Sequence, residues 1–517
     1  MANEVLLCKL DRFPVHFRIT VLFEMVNILK RLFALCLLLA CMMANCSVFA
    51  SEALERKWFG PFFSDAELTL APGHRTEALG PLFYFEHKDT QKQWGFPPFG
   101  SYTSDLSVDY SEFDFAYPLL TYDQFGKEYR FQVMQLFSFA GGGSQDDSST
   151  RRFTLFPLYF QQRSPDPAKN YTALLPFYGH LKNRLFRDEI NFVLLPLYLK
   201  SRKKDVITDN YLFPFFHLRH GNELSGWQFW PVTGYEHKGI TYTTNSLDEQ
   251  ELIGGHTDFF AGWPFYLYSS SGEGSTNPVV QRALLPLYSS YRSPLRDSTT
   301  YFWPFGLTLT DDREKKYHEI GAPWPLIDYA YGPGKSTYRL WPLFSESHNA
   351  NLESDFYLWP LYKYNRIGFD PYERERTRIM FFLYSDTITR NMENREKIQR
   401  TDLWPLFTAK KELNGDEKFQ LLAPLEPLLP NNKSVERDYS PIWSVWHSER
   451  NFKSGRKAQS LLWNLYRYEE STNQMDASFL FGAFSFHSQS QTNKARWKLL
   501  YIPFTTQKNA SRTNASE

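Results

Sequence analysis

Histidines and acidic clusters are the residues of this 517-residue chain whose spacing could support metal binding. The twelve histidines are scattered, and His217 and His220 form the only close pair. Residues at i and i+3 point to opposite faces of a strand, so we expect this pair not to share a metal ion. Residues 141–147 are glycine-rich and acidic but lack the alternating oxygen ligands and distal Glu of a calcium loop. We expect them to form an exposed loop.

No motif for catalysis is present. The sequence has no HExxH, Walker A, GxSxG or dinucleotide-binding pattern. All four cysteines precede residue 51, so the remaining chain offers no disulfide, cysteine-zinc site or thiol nucleophile. Lys+Arg and Asp+Glu balance at 57 each, which gives no support to a nucleic-acid partner. We therefore expect a protein that is not an enzyme and has no cofactor, no metal site and no nucleic-acid ligand.

Aromatic residues are unusually abundant, with 46 Phe, 31 Tyr and 14 Trp. An aromatic share of 18% excludes a disordered chain. Trp and Tyr suit sugar rings or lipid headgroups, which suggests an envelope glycan or outer-membrane lipid as partner. Several tryptophans occupy one repeated slot, however, and this predicts packing in a core or an interfacial girdle: Trp263, Trp303, Trp341, Trp359 and Trp404.

A short motif recurs about every 20 residues between roughly residues 60 and 504. It consists of a bulky apolar residue, Pro, Leu or Phe, and usually an aromatic residue. We predict that its prolines are structural: Pro157, Pro176, Pro196, Pro214, Pro264, Pro286, Pro304, Pro342, Pro360 and Pro405.

This repeat resembles that of exported bacterial proteins of largely unassigned function. The segment DFAYPLLTY, residues 114–122, is similar to the hairpins of those proteins. The resemblance implies an exported β protein, and it brings no catalytic residues with it.

The units predict strands. Residues 338–345 and 356–364 alternate at period two, and a proline in each unit opposes helix. We interpret residues 113–122 and 128–139 as two strands of a hairpin, joined by a turn at 123–127. The prediction is an all-β fold: an antiparallel meander of about 20 or more strands that closes into a barrel-like structure, because closure removes exposed edges.

A β-solenoid or stacked-sheet repeat is the alternative fold. Proline cannot donate to a strand ladder, so proline near the centre of each unit opposes a closed barrel wall unless it lies at a rim or bulge. In a solenoid it would mark the corner of each coil. Charged residues 202–205 and 373–376 are expected in exposed loops.

The N-terminus predicts export. Residues 25–50 carry Lys30 and Arg31, then an apolar run and a small-residue cleavage position at Ala50, as in a secretory signal peptide; a retained anchor helix is the alternative. Residues 1–24 are then an extension from a mis-assigned start. Residues 38–41 resemble a lipobox, which makes Cys41 a candidate for lipidation. Residues 51–504 form the β-repeat domain and 505–517 a flexible tail.

These features favour a non-enzymatic protein of a Gram-negative-type cell envelope. The first hypothesis is a barrel-like outer-membrane or membrane-associated protein with a structural or transport role. The second is a soluble periplasmic or secreted repeat protein that binds an extended ligand such as polysaccharide. An exported enzyme acting on glycans is a third, although no acid–base pair stands out in the sequence.

Overall fold

The computed structural model describes residues 58–59, 62–142, 150–244, 248–489 and 494–507. The export segment with Cys41, and residues 508–517 of the tail, lie outside them. The described part is all-β, as predicted, and holds 46 strands, numbered β1–β46 in chain order. Within it, no helix is long and apolar enough to cross a membrane.

The strands are mostly five or six residues long. Strands β1–β12 are Trp58–Phe59, Phe63–Glu67, His74–Ala78, Phe83–Lys88, Gln91–Phe96, Gly100–Asp105, Tyr110–Phe115, Leu120–Phe125, Glu128–Val133, Phe137–Gly141, Arg151–Leu155 and Tyr159–Arg163. Strands β13–β24 are Tyr171–Leu174, Tyr178–Arg184, Arg187–Val193, Tyr198–Lys203, Val206–Tyr211, Phe216–Gly221, Leu224–Phe229, Thr233–Lys238, Thr241–Thr244, Gln250–Ile253, Gly255–Ala261 and Tyr266–Glu273.

The second half continues in the same way. Strands β25–β36 are Val279–Leu284, Tyr288–Arg292, Arg296–Tyr301, Leu307–Asp312, Tyr317–Gly321, Ile327–Tyr331, Lys335–Leu340, Phe344–Asn349, Leu352–Tyr357, Tyr362–Phe369, Tyr372–Ile379 and Tyr384–Asn391. Strands β37–β46 are Lys397–Leu403, Phe407–Lys411, Glu417–Leu421, Trp446–Arg450, Lys457–Leu461, Tyr466–Ser471, Gln474–Phe479, Phe484–Gln489, Lys494–Leu499 and Ile502–Gln507.

Two short helices lie in the connection between β39 and β40. They are α1, Lys433–Asp438, and α2, Ser440–Trp443. The side chain of Asn432 accepts a hydrogen bond from the Val435 N–H and caps α1. Single 3-10 turns occupy Gly80–Leu82 and Pro167–Lys169.

Forty-four of the described strands form one sheet. Each pairs antiparallel with its neighbour in the chain, and β20 pairs with β23 because β21 and β22 form a separate hairpin. The predicted antiparallel meander is confirmed. Closure into a barrel is not observed, because among the described strands β1 and β46 do not pair.

The first strands of the sheet contact the turns that follow β40 and β41 through side chains instead. Arg456 Nη2 lies 2.7 Å from Glu67 Oε2, and Asn464 Nδ2 lies 2.6 Å from Glu77 Oε2. Side-chain contact between strands far apart in the sheet corresponds to the stacked-sheet alternative.

The motif prolines lie in turns, which corrects their expected place near the centres of strands. All ten predicted prolines lie in connections that join one strand to the next along a single edge of the sheet. Residues 341–343, for example, separate β31 from β32, so residues 338–345 are not one strand. Residues 116–119 divide the segment 113–122 in the same way, whereas the turn predicted at 123–127 is present at Gly126–Lys127. Each 20-residue unit therefore supplies two strands, and this doubles the expected number.

Backbone hydrogen bonds connect these turns to one another. The peptide bond before each of the ten prolines is cis. The Leu195 N–H donates to Pro176 O at 2.6 Å, and the Phe213 N–H donates to Pro196 O at 2.7 Å. The ladder thus continues beyond the strands into the turns. We call this edge, formed by the turns that follow the odd-numbered strands up to β19 and from β23 onward, the proline rim.

The turns of the opposite edge, called the polar edge, are mostly polar, although a few expose apolar side chains such as Leu106 and Phe186. Lys204 and Asp205 join β16 to β17, as expected for an exposed linker at 202–205. The first two residues of that range lie in β16 instead. Residues 373–376 are not a loop, because all four lie inside β35. A repeating Glu-Arg pattern is equally compatible with a strand whose two faces differ in charge.

Candidate functional site

The two faces of the sheet differ in chemistry. Residues paired across antiparallel strands point to the same side, so each face can be traced from strand to strand. Ser101 pairs with Asp114, which pairs with Thr121, and all three are buried. We call the face that carries them the polar face. In β34–β37 the same row continues as Lys363, Arg378, Ser385 and Asp402.

The other face, called the second face, carries an apolar row directly beside the proline rim. From β7 to β20 this row is Phe115, Leu120, Val133, Phe137, Leu155, Tyr159, Leu174, Tyr178, Val193, Tyr198, Tyr211, Phe216, Phe229 and Thr233. From β31 to β38 it is Leu340, Phe344, Tyr357, Tyr362, Ile379, Tyr384, Leu403 and Phe407.

The turns of the proline rim expose further apolar side chains. The residue after the motif proline is between 46% and 61% exposed in turn after turn, as in Leu119, Leu158, Phe177, Leu197, Phe215, Phe265, Leu287, Phe305, Leu343, Leu361 and Leu406. The residue before the proline is often Trp, and the rings of Trp341 and Trp359 lie 6.0 Å apart between centroids. The rim and the adjoining row form one exposed apolar strip along the sheet, far more extensive than the scattered apolar residues of an ordinary surface.

Buried residues are mainly polar, in contrast. The one cluster of buried apolar side chains among the described residues is Tyr171, Ala173, Leu181, Ile190 and Phe192. Elsewhere the buried positions of the polar face hold Ser, Thr, Asp and Glu, for example Thr337, Ser345 and Asp402.

A groove of about 700 Å³ lies in the middle of the chain, lined mainly by strands β18–β20 and β23–β27. Trp230, Trp263 and Trp303 of the proline rim line it together with Arg219 and Glu236 of the polar face. His217 also lines it, and burial together with the nearby Arg219 lowers the pKa of this histidine. Its partner in the sequence, His220, lies three residues along β18 and therefore on the second face, as predicted.

Beside this groove lies a cluster that could hold a cation. One ligand atom each from Glu236, His256 and Asp258 lie within 4.8 Å of one another. His256 Nε2 is 2.9 Å from Glu236 Oε1, and Arg219 Nη1 donates to the same carboxylate at 2.7 Å. The guanidinium already neutralises Glu236, which makes the cluster a charge network rather than a set of free ligands.

A second such cluster lies on the second face. It consists of His348, Glu353 and Asp355. Arg366 Nε lies 3.0 Å from Glu353, and Asp355 accepts a hydrogen bond from the Ser347 N–H at 3.2 Å. These carboxylates also have partners within the chain.

The most deeply buried ionic network surrounds Arg437 of α1. Its Nη2 lies 3.0 Å from Glu112 Oε1 and also donates to Asp114, while Nη1 donates to Thr103 at 2.9 Å. Asp438 is fully buried beside them, and burial raises the pKa of its carboxyl to about 7. One guanidinium therefore faces three carboxyl groups, and burial together with the neighbouring carboxylates Asp114 and Glu112 raises the pKa of Asp438.

The fifteen residues predicted as structural members of the repeat are brought together by the fold. All ten prolines and the five tryptophans lie in turns of the proline rim. The network around Arg437 and the cluster at Glu236 were not found from the sequence, because their members are far apart in the chain. No protein-family model matches this chain, and no curated protein matches it.

Proposed function

We propose that this chain is a membrane-associated β-sheet protein of the cell envelope whose proline rim inserts into one leaflet of a lipid bilayer. The observation that carries this proposal is the continuous exposed strip of Leu, Phe, Trp and Tyr side chains at one edge of the sheet, whereas the opposite edge exposes apolar side chains only in separate turns, such as Leu106 and Phe186. Soluble proteins rarely leave a long apolar strip in water, and such strips mark interaction with membranes or proteins.

The depth of the apolar strip fits one leaflet. It comprises the turn and one or two rows of strand residues, and a strand rises about 3.3 Å per residue. The strip is therefore about 10 Å deep, whereas one leaflet supplies about half of a hydrocarbon core of about 30 Å. Helices that lie in the membrane surface bury their apolar side to a similar depth, about 5–10 Å.

Charged and aromatic residues are placed as this orientation requires. Beyond the apolar rows the second face carries ion pairs such as Arg366 with Glu353 and Arg390 with Glu375. Trp and Tyr occupy many positions of the rim and of the first row, and these residues favour the boundary between hydrocarbon and water. The rim would lie in the lipid and the charged rows would remain in water.

Export to the envelope is the second part of the proposal. It rests on the signal-peptide pattern of residues 25–50, which lie outside the described residues. The absence of cysteine after residue 50 suits either an oxidising or a reducing compartment, so the N-terminal pattern carries this part alone.

Vesicle flotation tests the membrane contact. We expect the full chain to float with neutral phosphatidylcholine vesicles, and a variant with Leu158, Phe177, Leu197 and Phe215 changed to Asn to remain at the bottom of the gradient. These side chains are about half exposed, so the variant should keep its circular dichroism spectrum. The matched control changes Leu185 and Phe186 to Asn; they are 63% and 97% exposed but lie in a turn at the polar edge, and this variant should float.

Equal flotation of the rim variant and the wild type would contradict insertion of the rim. Insertion would also be contradicted if the wild type did not float with vesicles but formed dimers that the rim variant cannot form. A second copy would then cover the apolar strip. Light scattering after size-exclusion chromatography separates these outcomes.

A second candidate function is the binding of an extended neutral glycan in the 700 Å³ groove. The observation in its favour is that four tryptophans and several hydroxyl and carboxylate groups line one groove. Aromatic faces with polar groups around them suit sugar rings. Quenching of tryptophan fluorescence by an oligosaccharide, lost in Trp263→Ala, would support it, and no change in fluorescence with any glucan or peptidoglycan fragment would contradict it.

A further inference from the structure

Strand β35 separates its charges by sign. Residues 373–378 are Glu-Arg-Glu-Arg-Thr-Arg. Because successive side chains of a strand point to opposite faces, Glu373 and Glu375 lie on the second face, and Arg374, Arg376 and Arg378 lie on the polar face.

The acidic side of this strand is neutralised locally. Arg390 Nη1 lies 2.6 Å from Glu375 Oε1 and 3.6 Å from Glu373 Oε2. Arg366 Nη1 lies 3.5 Å from Glu373 Oε1. Both glutamates therefore form ion pairs with arginines of the neighbouring strands on the second face. Neither glutamate neutralises the three arginines of β35 on the polar face.

The basic side has no such partners. On β34 the residues that pair with Arg378, Arg376 and Arg374 are Lys363, Asn365 and Ile367. On β36 they are Ser385, Thr387 and Thr389. No carboxylate stands directly beside the three arginines, and Lys363, directly opposite Arg378 across the strands, adds a fourth cation.

The nearest acid in the same row is already engaged. It is Asp402, which pairs with Ser385 and lies on β37, two strands from Arg378. It accepts hydrogen bonds from Arg400 Nε at 3.0 Å and from Thr408 Oγ1 at 2.6 Å. Within the described residues, the side chains of Lys363, Arg376 and Arg378 make no ion pair, and the buried Nε of Arg376 has no hydrogen-bond acceptor.

These cations repel each other. Burial and the neighbouring Arg378 and Arg339 lower the pKa of Lys363. Burial and the neighbouring Arg378 and Arg374 lower the pKa of Arg376. Half-buried cations without an anion are unfavourable in a free chain, and a bound anion relieves both the repulsion and the missing acceptor.

We propose that Lys363, Arg376 and Arg378, with Arg374 at the margin, form a binding site for a phosphate group on the polar face of β34–β36. A phosphate monoester carries about −1.5 to −2 charges near neutral pH and three acceptor oxygens, which suits a group of three to four cations. Guanidinium groups bind phosphate through two parallel N–H donors. The amide of Asn365 and the hydroxyls of Ser385 and Thr387 add neutral donors around it.

The site begins two residues from the turn of the proline rim, with Lys363 and Arg378 in the first row of the polar face and Arg376 in the next row. A phosphate group at this level could belong to a lipid headgroup or to a soluble phosphate ester. The chemistry of recognition is the same for both, so the source is decided by experiment. The proposal does not depend on insertion of the rim.

Calorimetry with pyrophosphate tests the site in the full chain. We expect binding to the wild type that weakens as salt is raised, and binding at least tenfold weaker in R376Q/R378Q. The matched control is R366Q/R390Q, which removes two arginines from the same hairpins but on the second face, and it should bind as the wild type does. Without pyrophosphate, R376Q/R378Q should melt at a temperature equal to or above that of the wild type, because it loses repulsion and no ion pair.

Flotation with phosphatidic acid in phosphatidylcholine vesicles distinguishes the source. A gain in flotation over neutral vesicles that R376Q/R378Q lacks indicates a lipid phosphate, and binding of pyrophosphate without that gain indicates a soluble ester. If neither ligand binds the wild type better than R376Q/R378Q, or if R366Q/R390Q loses as much binding as R376Q/R378Q, the site is refuted. Flotation with neutral vesicles tests the rim separately.

Discussion

Arg437 Nη2 lies 3.0 Å from Glu112 Oε1, although 325 residues separate the two in the chain. The contact fixes helix α1, in the connection between β39 and β40, against strands β6 and β7 near the other end of the sheet. Asn432 reaches the hydroxyl of Tyr117 in the same region at 3.1 Å. Strands β6 and β7 are therefore connected to the segment between β39 and β40 by a buried polar network rather than by a strand ladder.

Arg437→Met should destabilise the chain strongly. It leaves Glu112 and Asp114 buried without their cation, and the loss of one partner from a buried ion pair typically costs about 3–5 kcal/mol. Urea unfolding followed by circular dichroism measures this. Arg313→Met is the matched control: Arg313 pairs with Asp297 at 3.0 Å but is 43% exposed, so its loss should leave the urea midpoint almost unchanged. Equal costs for the two variants would contradict the structural role of Arg437.

Asp438→Asn should change how stability depends on pH. Burial raises the pKa of Asp438 to about 7 in the folded chain, whereas the value in an unfolded chain is about 3.9. Between these values the folded state binds the additional proton, so stability from this group is present below about pH 4 and falls as the pH rises through 7.

The amide of the Asp438→Asn variant does not titrate, so this variant should not lose stability as the pH rises. We expect Asp438→Asn to melt above the wild type at pH 8, and by a clearly smaller margin at pH 5, as measured by differential scanning calorimetry. Asp297→Asn is the control, because the hydrogen bond from Arg313 lowers the pKa of Asp297, and this variant should gain nothing at pH 8. A difference between Asp438→Asn and the wild type that stays constant from pH 5 to pH 8 would show that Asp438 does not titrate in this range.

Phe192→Ala should be among the most damaging truncations of an apolar side chain. Phe192 is 2% exposed and belongs to the buried cluster with Ile190 and Leu181. Removal of a buried Phe side chain costs about 3–5 kcal/mol. Phe186, in the turn before the same strand and 97% exposed, provides the control: Phe186→Ala should leave the urea midpoint unchanged. A small effect at Phe192 would mean that this cluster is not a core.

Gly179→Ala should destabilise the same cluster through overpacking. A Cβ atom at this position would lie 2.2 Å from ring atoms of Phe192 and 2.6 Å from the Cβ of Ala173. Insertion of a methyl group into a packed site typically costs about 1–3 kcal/mol. Gly368→Ala is the matched control, because the nearest atom to its Cβ would be Asn351 O at 4.0 Å. Thermal melts of both variants should therefore differ, and equal melting temperatures would contradict the close approach at Gly179.

The sequence alone determined the fold class and the repeat. Alternation of apolar residues at period two and a proline in every unit exclude helix for local steric reasons, and these reasons act before any tertiary contact forms. The prolines and tryptophans of the motif were also identified as one structural set, and the fold places all of them in one edge of the sheet. Export and envelope function stay predictions from the N-terminal pattern and the composition.

Other properties were decided only by the tertiary structure. Whether an apolar residue followed by Pro and Leu lies in a strand or a turn depends on the pairing of the flanking residues, so the number of strands and the proline rim could not be counted from the motif. The charge carried by each face depends on the strand register. In residues 373–378 the register places the arginines on one face and the glutamates on the other. Contacts such as that of Arg437 with Glu112 depend on how the sheet carries distant segments together, and no local pattern encodes a meeting of residues hundreds of positions apart.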